Sequence, residues 1–153
     1  MKNTLLVAAL LLFILGAQPV SAQNKNCNLT AADLISMVKA DGKTVDNIVR
    51  HHCFVVDMSV NNGALVNYKR DYKDNNRPCQ DQLFTVTSGV ITLITSSDAT
   101  YNLYLSGLKK MGFTYTGKDD GCEMYKYKKY KLCVGISPDP KGGTDHGFMI
   151  DRE

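Results

Sequence analysis

His51-His52-Cys53 is the densest cluster of side chains able to bind a metal or attack a substrate in this chain of 153 residues. Helical metal ligands stand three or four residues apart and share one face, whereas consecutive residues point in three directions. The cluster therefore reads as a helix end, where imidazole meets the negative pole of the helix dipole. Asp145-His146, with Cys79 or Cys133, supplies the residue types of a thiol nucleophile and its base. No local signature joins them, and distance along the chain says nothing of distance in space. The sequence holds no Gly-rich phosphate loop, no nucleophile elbow and no carboxylate pair in a recognisable setting. No catalytic residue, metal ligand or cofactor site is assigned from it.

Five cysteines are present: Cys27, Cys53, Cys79, Cys122 and Cys133. Their odd number leaves at least one outside any intramolecular bridge, and spacing alone does not choose among the pairings. One pairing follows from hairpin geometry. A turn at Tyr127-Lys128 sets Cys122 directly opposite Cys133, about 4.5 Å apart at Cα in a non-hydrogen-bonded pair. A turn at Lys128-Lys129 moves the register, and the Cys122–Cys133 pairing fails.

Tyr125-Lys126-Tyr127-Lys128-Lys129-Tyr130-Lys131 is the most conspicuous local composition, echoed by Tyr68-Lys69-Arg70-Asp71-Tyr72-Lys73. Interleaved rings and cations can stack on sugars and pair with anions. Alternation in a strand offers the plainer account, with Tyr turned to the core and Lys to water. The candidate binding surface is Tyr125, Lys126, Tyr127, Lys128 and Lys129. Its expected partner is an unknown protein or an anionic envelope polymer, not nucleic acid.

The N-terminus supplies the context. Lys2, the apolar run from Leu5 to Leu15, and Pro19-Val20-Ser21-Ala22 have the layout of a secretory signal peptide. The run is shorter than the roughly 20 residues of a membrane span, and no second run follows. Residues 1–22 are therefore read as a signal. Residues 23–153 form one small domain, secreted or periplasmic, with no integral membrane segment. Losing Lys2 lowers the net charge from +3 to +2, too little to demand nucleic acid or anionic lipid.

The elements follow from periodicity and caps. Thr30 with Asp33 starts a helix carrying Leu34, Ile35 and Val38. Asp41-Gly42-Lys43 reads as a break, after which Thr44 caps a second helix through Val45, Ile48 and Val49. Asn61-Asn62-Gly63 marks a hairpin, and Lys73 to Pro78 a polar loop. Leu83 to Thr95 fits one bent strand or a hairpin at Ser88-Gly89. Ser96-Ser97-Asp98 caps a third helix, with Tyr101, Tyr104, Leu105, Leu108 and Met111 as its stripe and Gly112 as its stop. Strands follow at Phe113 to Tyr115, Glu123 to Tyr127, Tyr130 to Ile136 and His146 to Asp151.

Sliding the chain by 59 residues lays Val49 on Leu108, Phe54 on Phe113, and Tyr68-Lys69-Arg70 on Tyr127-Lys128-Lys129. The expected fold is α+β: an antiparallel sheet with helices packed on one face. It is read as two pseudo-repeated halves, about 30–95 and 96–153, each a helix plus three strands. This tandem layout is similar, in architecture alone, to the β-lactamase inhibitor protein and other small envelope domains, and no residue is carried over. The resulting expectation is an exported, non-enzymatic binding or inhibitor-like domain. The alternatives are a thiol-dependent enzyme or redox protein using the unpaired cysteine, and a structural subunit of an envelope complex.

Overall fold

The computed structural model describes residues 27–60, 64–74, 76–86, 89–138 and 143–153. The signal segment, the Asn61-Asn62-Gly63 turn and Ser88 lie outside the described residues.

Among the described residues two short helices come first, α1 (Ala31–Lys39) and α2 (Gly42–His51). Thr30 caps α1 with a full capping box: its side chain accepts from the Asp33 N–H, and Asp33 accepts from the Thr30 N–H. The cap of α2 is Asp41, not Thr44. The Asp41 carboxylate accepts the Thr44 N–H at 2.8 Å, so the expected break is the start of the helix. Asp is among the best N-caps, and a Gly in the first turn costs little there. Cys53 then takes a left-handed φ of 67° and turns the chain into the sheet.

Eight strands follow among the described residues: β1 (Val55–Val60), β2 (Leu65–Asp74), β3 (Arg77–Val86), β4 (Val90–Thr95), β5 (Thr114–Asp119), β6 (Cys122–Tyr127), β7 (Tyr130–Pro138) and β8 (Thr144–Arg152). Helix α3 (Asp98–Lys110) separates β4 from β5, with Ser97 as its cap. Much of the polar stretch expected as a loop is strand, with Lys73 opposite Pro78 and Asp74 opposite Arg77. Leu83 to Thr95 is a hairpin, with Val86 opposite Val90 and Gly89 at φ 85° between them. The final strand begins at Thr144, two residues before the expected His146.

All strands join one antiparallel sheet in the order β1-β2-β3-β4-β8-β7-β6-β5. Two four-strand meanders thus meet along β4 and β8, each with one strand more than the three expected. Their registers correspond closely. Each first strand carries a bulge at the same point, between Val56 and Met58 in β1 and between Tyr115 and Gly117 in β5. Tyr68 lies between Val56 and Leu83, and Tyr125 lies between Tyr115 and Leu132. Tyr68 therefore corresponds in position to Tyr125, not to Tyr127 as the 59-residue slide has it. The β1–β2 connection is two residues longer than the β5–β6 connection, and the ungapped slide misses that.

Buried positions alternate along β3, β4, β7 and β8. Leu83, Leu93, Leu132, Phe148 and Ile150 join Leu34, Val38, Val49, Tyr104 and Leu108 of the helices in one cluster. Among the described residues, no helix is long and apolar enough to cross a membrane.

Candidate functional site

Alternation turns every second strand residue away from that core, onto an outer face. One cross-strand row runs across nearly the whole sheet: Met58, Asn67, Phe84, Thr92, Met149, Cys133, Met124. The open face of an antiparallel sheet is usually polar. Here the row is mostly apolar and soft, and Met58 and Met149 are 49% and 43% exposed. Methionine adapts its shape to what it meets, which suits a contact surface.

The neighbouring row is lower. Gln82, Ile94, Gly147 and Gly135 succeed one another across β3, β4, β8 and β7. Gly135 sits directly opposite Gly147, and a Cβ added to either would find its nearest neighbour 3.9 Å away. Those neighbours are the Cys122 sulfur and the Gly135 carbonyl oxygen, and the two glycines floor a trough. Two cavities open along it, about 480 Å³ and about 350 Å³, sharing Ile94 and Asp145 in their walls. Asp71, Asp120 and Asp145 line them, and among the described residues no Lys or Arg does. The described lining of the trough is therefore acidic. Three lysines of this face lie beyond it in ion pairs, Lys69 with Asp57 at 2.7 Å, and Lys126 and Lys131 with Glu153 at 2.9 and 2.8 Å, while Lys73 is exposed two residues from Asp71 on β2.

Cys122 and Cys133 stand at disulfide distance on the trough's far wall, with Cα atoms 5.4 Å apart. The turn is nevertheless at Lys128-Lys129, with Tyr127 opposite Tyr130. Cys133 faces Met124, and Cys122 reaches it diagonally from the mouth of the hairpin, where regular pairing has stopped at Glu123 and Val134. The direct opposition expected from the other turn is thus not how the two sulfurs meet. Cys27 and Cys53 form a second pair at disulfide distance, 5.3 Å apart at Cα. The free cysteine among the described residues is Cys79, buried in β3.

The structure divides the Tyr-Lys hairpin between core and surface. Tyr125 is buried, and its hydroxyl donates to Glu123 at 2.9 Å. Burial, and then the Glu123 contact, push its pKa up to about 12. Tyr127 packs its ring 5.4 Å from Phe113. Lys126 points outward to Glu153, and Lys128 folds over the Tyr127 ring. Lys129 is exposed in the turn.

The remaining candidates are dispersed. His51 Nδ1 lies 2.6 Å from the Asn47 carbonyl, His52 faces Asp33 at 3.4 Å, and Cys53 pairs with Cys27. His146 is buried, stacked on Tyr101 at 4.1 Å, with Nε2 2.7 Å from Asp98. Strand β4 runs between the strands of Cys79 and His146. Among the described residues, no cluster of His, Cys, Asp or Glu could hold a metal ion.

The residues that sequence reasoning missed are Ile94, Gly135, Asp145 and Gly147 as a group. Their signal was a lone Gly inside each of two strands, which marks close approach or an uncovered backbone. No family model, curated protein or solved structure matches this chain.

Proposed function

We propose that this chain is an exported, non-enzymatic binding domain, inhibitor-like in its mode, that docks a partner protein on the outer face of its sheet. The observation that carries the reading is the apolar row from Met58 to Met124 beside the glycine-floored trough. The partner offers an apolar segment for the row and Lys or Arg side chains for Asp71 and Asp120. Helices packed on the other face leave this one open. The matching registers of the two meanders support two pseudo-repeated halves, about 30–95 and 96–153. The N-terminal signal supports secretion or a periplasmic location, and the paired cysteines suit an oxidising compartment.

The thiol-enzyme reading needs an accessible, activated sulfur. Burial of Cys79 counts against it, and equally against a covalent envelope subunit.

Photo-crosslinking in the producing cell tests the docking face. A benzophenone amino acid at Thr92 should give one discrete adduct, and the same group at Leu103, exposed on α3, should give none. Gly147→Arg, which fills the trough with the wrong charge, should abolish the adduct. The partner isolated from it should bind Met149→Lys at least about tenfold more weakly, a loss of about 1.4 kcal/mol. Equal labelling at both positions, or an adduct indifferent to Gly147→Arg, overturns the proposal.

A further inference from the structure

A separate cavity of about 380 Å³ lies on the core side of the sheet, between α1, the end of α3 and the β6–β7 turn. Its size is at the small end of ligand pockets. Ile35, Met111 and the rings of Tyr127 and Tyr130 make its walls apolar. Lys39, Lys128 and Lys129 make its rim cationic. Among the described residues none of these three lysines is in an ion pair, although Lys126 and Lys131 on the same hairpin share Glu153.

Two of the cations are already poised. Lys39 Nζ stands 5.4 Å from the centre of the Tyr130 ring, and Lys128 Nζ stands 5.0 Å from that of Tyr127. Ring faces hold ammonium groups by their quadrupole without neutralising them. Lys128 also sits at φ 52°, in a two-residue hairpin turn where Gly or Asn is the unstrained choice. A side chain kept at such a backbone position points to a use for it. The Tyr130 hydroxyl is buried and makes no hydrogen bond among the described residues.

We infer that this cleft binds a small anionic amphiphile: one carboxylate, sulfate or phosphate head met by the three lysines, with a short alkyl or aryl group among Ile35, Met111 and the two rings. The inference stands apart from the docking face.

Calorimetric titration of the mature protein with monomeric octyl sulfate tests it. Saturable binding is expected, with amide shifts confined to Ile35, Met111 and Tyr130. Octyl glucoside, with the same tail and no charge, and inorganic sulfate, with no tail, should each bind at least about tenfold more weakly. Lys39→Gln, Lys128→Gly and Lys129→Gln together should weaken octyl sulfate by about tenfold or more, the effect of losing charge-assisted contacts. Lys128→Gly alone should weaken binding while raising thermal stability, because it relieves the turn. A folding defect would move both downward, so the opposite signs separate the two causes. Pelleting with phosphatidylglycerol vesicles distinguishes the source of the anion: co-sedimentation beside octyl sulfate binding assigns it to a bilayer lipid, and none assigns it to a free molecule. Equal affinity for octyl glucoside, or octyl sulfate binding untouched in the triple variant, overturns the inference.

Discussion

Arg70 and Asp81 form an ion pair sealed inside the molecule, their side chains 3% and 0% exposed. The guanidinium also donates to the Cys27 carbonyl and lies over the rings of Phe54 and Tyr72, at 5.1 and 4.8 Å. Asp81 accepts a second bond from the Tyr72 hydroxyl at 3.2 Å, and that hydroxyl lies 3.0 Å from Thr100 of α3. The network ties the cysteine-bearing N-terminal segment, two strands and a helix start together.

Taking out one partner leaves the other charge buried and unpaired. Arg70→Met should lower stability by about 3–5 kcal/mol, while Arg70→Met with Asp81→Leu should recover much of it. Urea unfolding of the two single variants and the double variant measures this. Losses that simply add would show that the pair is not coupled.

The cysteine arrangement makes a chemical prediction. Intact mass and peptide mapping of the exported protein should show a chain beginning at Gln23, bridges Cys27–Cys53 and Cys122–Cys133, and one thiol at Cys79. Cys79 should resist alkylation until the protein is unfolded, since it is buried in β3. Replacing Cys122 and Cys133 by Ser opens a short loop, of sequence separation 11, and should cost about 2–3 kcal/mol. Ready labelling of the native thiol would revive the redox reading.

The local part of this architecture was legible in the residues. The Thr30–Asp33 box and the Ser97 cap are short-range hydrogen bonds, and short-range bonds show in short patterns. Alternation correctly divides Tyr125 from Lys126. What sequence did not show was pairing over distance. The contact of β4 with β8, which completes the sheet, joins Ile91 to Ile150, and no local pattern encodes such a partner. The diagonal Cys122–Cys133 approach depends on where regular pairing ends, which a register count does not tell. Arg70 and Asp81 are each buried only through the other, and no local pattern names such a partner. The trough was hidden for the same reason: Gly135 and Gly147 mean little until β7 and β8 set them opposite.

Gly112 gives a test of how the helix end supports the Tyr-Lys hairpin. Its φ is 107°, and a Cβ there would stand 3.1 Å from two ring atoms of Tyr127. Gly112→Ala should cost backbone strain of about 1–3 kcal/mol and also push the ring aside. Gly121, at φ 79° with nothing within 4 Å, isolates the strain alone. Thermal unfolding should therefore rank Gly112→Ala below Gly121→Ala. Equal losses would mean that the ring moves freely.

Alkaline pH should act through the buried tyrosines. Burial raises the Tyr104 pKa, and burial with Glu123 pushes Tyr125 up to about 12. In the unfolded chain a tyrosine titrates near 10. Below about pH 10 both states hold these protons, and the neutral phenols contribute their full stability. Between about 10 and about 12 the unfolded state loses the Tyr125 proton while the folded state keeps it, so folding stability falls as pH rises. Tyr125→Phe removes that part of the slope. Urea midpoints taken across this interval should decline less steeply in the variant than in the wild type, and tyrosinate absorbance of the native wild type should show a late-titrating phenol that the variant lacks. Parallel declines, or a full complement of tyrosinate near pH 10, would show that the Tyr125 phenol is not held by burial and Glu123.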